Sequence, residues 1–151
     1  MSSIKIVETN SKGKGVFATN LIKTGELIFD WEAGIIYEVK KASELPMDAK
    51  DYAIQFAENK WIDTMEFGRI LNHSCLPNTG IKGLFKLIAI KDIQVGEEIV
   101  WDYDTTENSD WELPGECKCN SVRCRRVIKG YRYLSDELKE EYKDITSDWL
   151  K

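Results

Sequence analysis

The sequence predicts a mainly β domain with short helices. Short β-branched and aromatic runs recur along most of the chain, with turn signals about every eight to twelve residues, and helical apolar spacing appears only beyond Leu134. At 151 residues the chain fits one domain. That length buries a real core, yet a structural metal still adds useful stability at this size.

Taken in order, Ile4–Glu8 alternates like a short strand, and residues 10–15 form a Lys12-Gly13-Lys14-Gly15 loop ahead of a second strand over 16–18. The glycines free that backbone to turn at positive φ or to approach a ligand. A plain hairpin loop is the simpler reading. Residues 26–31 and 34–39 are two strand-like segments with a tight connection, which predicts neighbouring strands. Residues 40–51, with mixed charge and Pro46, read as a solvated loop with a helical turn.

Further strands are predicted over 52–57 and 61–62, and a helical turn over 66–71. The most strand-like runs are 84–90 and 97–103, with Gly96 placed for a turn between them. Beyond Tyr103 the charge polarises: residues 104–116 hold five acids and no base, and residues 117–132 hold six bases and no acid. These halves fold back on each other, frame a charged substrate, or stay solvated. Leu134, Leu138, Tyr142, Ile145 and Trp149 recur at helical spacing, with Ser135 as N-cap and Asp136 and Glu137 favouring the helix dipole.

A hydrophobic content of 42%, a charged content of 31% and a net charge of -5 describe a globular protein suited to a basic partner. Direct nucleic-acid binding is not expected, because it needs a basic face. No apolar run is long enough for a membrane span or signal peptide, so neither membrane association nor export is expected. An intracellular setting follows, where thiols stay reduced.

Residues 69–78 concentrate chemistry: the chain's single histidine, His73, stands with Asn72, Cys75, Pro77 and Asn78. Cys117, Cys119 and Cys124 follow as Cys-x-Cys-x4-Cys. Three thiolates on one loop invite tetrahedral Zn²⁺, which needs a fourth ligand. Cys75, the remaining cysteine, completes the set and would draw the tail onto residues 69–78; His73 is the competing nitrogen ligand, and free thiols are the alternative. Such a closed site is structural.

Together, Lys12 to Phe17, Arg69 to Asn78 as RxxNHSCxPN, Gly96 to Tyr103 as GEExxxDY, and the closing cysteine pattern resemble SET-domain protein lysine methyltransferases with a post-SET zinc loop. The resemblance implies a SET domain over 4–104, with several small sheets and a pseudoknot, then a post-SET cysteine loop over 113–129; residues 134–151 add a C-terminal helical extension outside it. It further implies an S-adenosylmethionine-dependent protein-lysine N-methyltransferase. The cofactor would be held by Lys12, Gly13, Lys14, Gly15, Tyr52, Arg69, Asn72, His73 and Tyr103. A lysine-bearing protein or peptide would enter from the opposite face along Trp31, Trp101 and Tyr103, with Tyr103 the catalytic side chain and Asn78 and Asp102 as scaffolding. Histones are the family's habitual substrates, which places a eukaryotic member in the nucleus and on chromosomes and any other member in the cytoplasm.

Some residues depart from the family pattern. Trp101 and Trp31 stand where a smaller aromatic ring is common, and Trp101 is expected to limit how many methyl groups the channel admits. Ala33 and Asn120 replace usual glycines; asparagine tolerates the left-handed backbone, so the cysteine loop should form. The competing functional reading is a catalytically silent domain of the same shape that binds a basic peptide or partner protein.

Overall fold

The computed structural model describes residues 3–65 and 67–151; Glu66, where the turn over 66–71 was expected to begin, lies outside them. Among the described residues, ten short strands form four small sheets. β1 (Ile4–Glu8) and β2 (Lys14–Ala18) make a hairpin, its turn held by Thr9 Oγ1, which accepts from the Lys12 N–H at 2.9 Å, and by Gly13 at φ +70°. β3 (Leu27–Asp30), β8 (Thr79–Lys82) and β9 (Lys86–Ala89) pair in the order β3-β9-β8. β4 (Ile35–Glu38), β5 (Ile54–Ala57) and β6 (Lys60–Asp63) pair in the order β4-β6-β5. β7 (Asn72–His73) lies parallel to β10 (Val100–Trp101).

No strand exceeds five residues, so each sheet depends on the core that the sheets share. Val16, Ile62, Leu71, Ile81, Leu87, Ile93 and Ile99 are buried there with Trp31 and Trp101. The Ile99 N–H donates to the Val16 carbonyl at 2.7 Å and locks the hairpin onto the segment that precedes β10. The result is the mainly β fold with short helices that the strand pattern predicts. No helix is long and apolar enough to cross a membrane among the described residues.

Several local expectations are corrected. The segments over 26–31 and 34–39 are not neighbours: β3 and β4 belong to different sheets, because Gly34 packs so close to Asp63 and Ile62 that β4 pairs with β6 instead. β8 was not anticipated; Thr79 and Gly80 hide a strand within a polar, glycine-bearing stretch. The run over 97–103 is strand only at Val100–Trp101, since Asp102 caps a 3-10 turn, Tyr103–Thr105, by accepting from the Asp104 N–H at 3.1 Å. Within 40–51, Ala42, Leu45 and Ala49 are buried, and the first two pack on Trp61, so this loop is partly core.

The C-terminal helix is shorter than its apolar spacing implied. α1 covers Asp136–Glu141, with Ser135 Oγ accepting from the Leu138 N–H as expected of its N-cap. Beyond it, tertiary bonds replace helical ones: the Ile145 carbonyl accepts from the Ile81 N–H at 2.9 Å, and the Ser147 N–H donates to the Thr105 carbonyl at 2.9 Å. The apolar period therefore marks a strap that packs against β8 and the 3-10 turn. A Cβ on Gly80 would stand 2.4 Å from Ile145 Cβ, which shows how close that packing is.

Candidate active site and metal centre

A parallel pair only two residues long has little stability of its own, and side chains complete it. Buried Asn78 donates through Nδ2 to the Glu98 carbonyl at 2.7 Å and accepts through Oδ1 from the Val100 N–H at 2.9 Å. Thr79 Oγ1 donates to the Val100 carbonyl at 2.7 Å, and the Ser74 N–H to the Trp101 carbonyl at 2.9 Å. The segment 98–101 is thereby held beside the 72–79 stretch. Buried backbone groups left without such partners cost free energy.

This pairing fixes Tyr103. Its N–H donates to His73 Nδ1 at 3.2 Å, and its hydroxyl donates to the Leu71 carbonyl at 2.8 Å. The ring meets His73, Trp101 and Trp111 at centroid distances of 5.2, 5.0 and 6.1 Å. Burial pushes its phenol pKa above the ordinary value, so the hydroxyl keeps its proton. With that proton on Leu71, the oxygen lone pairs are left to face the site. His73 accepts at Nδ1, so Nε2 carries the proton and lies 3.2 Å from Cys75 Sγ. Burial, and then the Arg125 charge, lower the His73 pKa to about 3, which makes it a neutral packing group.

Tyr103 stands where three depressions meet. A broad cleft of about 710 Å³ is lined by Lys12, Gly13, Lys14, Tyr52, Arg69 and Asn72, among others. A second recess, lined by Lys12, Asn72, His73, Cys117 and Cys119, joins it to the cysteine loop. Adjoining the cleft through Asp51, Tyr52 and Arg69 lies a narrow cavity of about 40 Å³, walled further by Leu71, Trp101, Thr106, Glu107 and Trp111. The cleft falls within the usual size of small-molecule sites, roughly 300–1,000 Å³.

Most residues singled out for the cofactor border that cleft, but their roles differ. Arg69 is paired with buried Asp63 and stacks on Tyr52, its Cζ 4.9 Å from the ring centre. Asn72 Nδ2 donates to the Lys14 carbonyl at 2.9 Å and to Glu98 Oε1 at 2.8 Å, while Lys12 Nζ pairs with Glu98 Oε2 at 2.5 Å. Glu98 is thus the post to which the glycine loop is tied, a role not foreseen although it sits inside GEExxxDY. Gly15 packs against this knot: a Cβ there would lie 2.6 Å from Glu98 Oε1 and 3.1 Å from Asn72 Nδ2. Trp31, expected on the channel, is fully buried behind Trp101 at a ring separation of 5.5 Å and lines none of these depressions. Trp101 does line the narrow cavity, and its indole N–H has no hydrogen-bond partner.

The four cysteines converge. All four Sγ atoms lie within 4.8 Å of one another, and those of Cys75 and Cys117 are 4.0 Å apart. Tetrahedral zinc with Zn–S of about 2.3 Å requires S···S edges of about 3.8 Å, so the cage fits after small adjustments. The Arg125 N–H points at Cys75 Sγ at 3.3 Å, as a thiolate acceptor invites. Asn120 takes the left-handed conformation at φ +55°, a geometry that asparagine tolerates. His73 touches the cage from outside and is not needed to close it.

Arg125, which nothing in its local sequence marked, binds the tail to the core. Its guanidinium donates to both Asp102 oxygens at 2.7 and 2.8 Å and to Asp104 Oδ2 at 2.8 Å. Arg126 pairs with Glu116, so the polarised segment folds back on itself at these points. Tyr142 on the strap donates to the Cys75 carbonyl at 3.2 Å, and Trp149 Nε1 to the Thr106 carbonyl at 3.0 Å.

Comparisons with known proteins identify the family and the fold. The family described as SET domain matches residues 13–104. The chain is 31% identical over 145 residues to the probable histone-lysine N-methyltransferase set-23 of Caenorhabditis briggsae, covering 83% of this chain and 60% of that protein. It is 27% identical to the histone-lysine N-methyltransferase ASHH3 of Arabidopsis thaliana, covering 85% of this chain and 39% of that protein. The methyltransferase domain of human SETMAR superposes with a TM-score of 0.65 at 22% identity, over 84% of this chain and 58% of that one. KRYPTONITE, solved with mCHH DNA, an H3(1-15) peptide and SAH, gives 0.61 at 21% identity, over 83% of this chain and 29% of that one. At these identities the structural likeness is one of fold, and the chain spans between 29% and 60% of these relatives' lengths.

Proposed function

The chain belongs to the SET-domain family, and on that premise we propose that it is an S-adenosylmethionine-dependent protein-lysine N-methyltransferase. One observation carries the reading: among the described residues, Tyr103 alone borders all three depressions, the broad cleft, the narrow cavity that adjoins it and the recess towards the cysteine loop. A cofactor in the cleft and a lysine side chain in the cavity would meet at its hydroxyl.

When bound, S-adenosylmethionine supplies an electrophilic sulfonium methyl. Lys12, Gly13, Lys14, Tyr52, Arg69 and Asn72 would hold it in the cleft, where Gly13 presents bare backbone and the Arg69–Tyr52 stack forms one wall. His73 would help to border the recess towards the cysteine loop. Gly15 acts through the Glu98 knot. Tyr103 Oη, its proton spent on Leu71, turns its lone pairs to the reacting centre and can orient the amine and the partly positive methyl. Trp101 and Trp111 exclude water and offer aromatic faces to the cationic amine, worth roughly 0.5–2 kcal/mol each. Alignment of this kind supplies several kcal/mol of acceleration, as an order-of-magnitude figure.

Cys75, Cys117, Cys119 and Cys124 would hold a structural Zn²⁺, which keeps the 113–129 loop folded over the recess. The substrate is proposed to be a lysine in a basic protein such as a histone, consistent with the net charge of -5 and the activities named for the relatives. That substrate would place a eukaryotic bearer on chromatin.

Labelled S-adenosylmethionine, incubated with core histones and separately with total protein extract, tests the reading. Incorporation by the wild type and its loss in Tyr103→Phe support an enzyme. A folded, zinc-loaded protein that transfers nothing in either form would support the silent, peptide-binding domain instead.

A further inference from the structure

Glu107 is buried to 6% exposure, lines the narrow cavity beside Tyr103, and has no basic residue in ion-pair contact among the described residues. Its position is set by Tyr103 itself: the Glu107 N–H donates to the Tyr103 carbonyl at 3.2 Å, closing a helical turn. Residues four apart on such a turn project from one face, which brings both side chains to the same cavity.

The neighbouring charges are already committed. Arg125 is engaged by Asp102 and Asp104, and Arg69, at the rim of the cavity, by Asp63. Arg132 spends its guanidinium on the Ser109 carbonyl. Asp51 and Tyr52 are the other titratable groups on the cavity rim, and Trp61 and Ser109 offer Glu107 only neutral hydrogen bonds. A carboxylate removed from water with neutral donors alone lacks a cation, and this one lines the cavity in which the lysine amine is proposed to sit.

We infer that Glu107 is a catalytic residue that receives the ε-ammonium of the substrate lysine in this cavity and accepts its proton before methyl transfer. The inference rests on the methyltransferase reading above. One N–H bond of the ammonium breaks and an O–H bond forms on Glu107, freeing the nitrogen lone pair. That pair forms the N–CH₃ bond as the C–S bond of the sulfonium breaks, leaving a neutral thioether and a methylammonium. The proton on Glu107 then passes to solvent as the product leaves. Burial raises the pKa of this carboxyl above the usual range, which narrows the gap across which the proton moves.

The test is the pH dependence of kcat/KM on core histones for the wild type, Glu107→Gln and Glu107→Asp. Cofactor affinity and zinc content are measured alongside. The wild type should change little between pH 7 and 9, as should Glu107→Asp at a lower rate. Glu107→Gln should fall on the order of 10²-fold near pH 7 and then regain about tenfold per pH unit, as free lysine approaches its ordinary pKa of about 10.4. A Glu107→Gln profile parallel to that of the wild type, or an unchanged rate, overturns the inference and leaves the enzyme reading standing. A steep profile in Glu107→Asp with intact cofactor affinity also overturns it. If the wild type binds S-adenosylmethionine yet methylates neither core histones nor extract, both fall together.

Discussion

The narrow cavity has two walls of different origin. One, made of Ile54, Leu71, Trp101 and Tyr103, is continuous with the buried core and the parallel β7–β10 contact. The other, made of Thr106, Glu107 and Trp111, comes from irregular chain between the 3-10 turn and the cysteine loop. Apolar burial and backbone pairing hold the first. Side-chain chemistry holds the second: Arg125 on Asp102 and Asp104, the four-cysteine cage, and the strap contacts of Tyr142 and Trp149. The site is thus half core and half clasp, and the halves should fail under different insults.

The largest separation is expected from the metal. Cys75→Ser, or chelation of the wild type, should abolish stoichiometric zinc and lower methyl transfer on the order of 10²-fold, since loss of alignment is that costly. The β signal in circular dichroism should persist. Unchanged zinc content in Cys75→Ser would overturn the four-cysteine assignment.

Next is Arg125→Met. It leaves Asp102 and Asp104 buried without their cation, and uncompensated burial of this kind costs about 3–5 kcal/mol. Urea denaturation should show that loss. A change within experimental error would mean that the clasp does not depend on this ion pair.

Tyr142→Phe removes the hydroxyl that reaches the Cys75 carbonyl, so its cost should be about 1 kcal/mol with zinc retained. Trp101→Phe alters the core wall alone. It should leave zinc bound, cost about 1 kcal/mol through the smaller buried ring, and shift the product towards higher methylation, read by mass spectrometry of methylated histones. Efficient trimethylation by the wild type would contradict the role given to Trp101.

The same division explains what could be read in the sequence. The core wall was legible because β-branched runs and glycine turns act locally, and because Asn72, His73, Cys75 and Tyr103 lie in dense motifs. The clasp was only half legible. Its cysteines announce themselves by spacing, but Arg125 meets Asp102 and Asp104 across 23 and 21 residues, with no local pattern to mark it. Trp111 stood as a lone aromatic among acids, and Glu107 as one acid of five; only the fold tells which carboxylate is buried at the cavity. The helix predicted from Leu134 to Trp149 failed for a related reason. Its apolar period was real, but beyond Glu141 the backbone finds partners in Ile81 and Thr105 in place of its own helix.

The central claim is that Tyr103 presides over methyl transfer to a lysine amine between these two walls. Tandem mass spectrometry of core histones treated with S-adenosylmethionine and either the wild type or Tyr103→Phe tests it most directly. The account predicts methyl groups on lysine ε-nitrogens with the wild type, and their loss with a mutant that still binds cofactor and zinc. Methylation at non-lysine positions, or equal lysine methylation by both proteins, would contradict it.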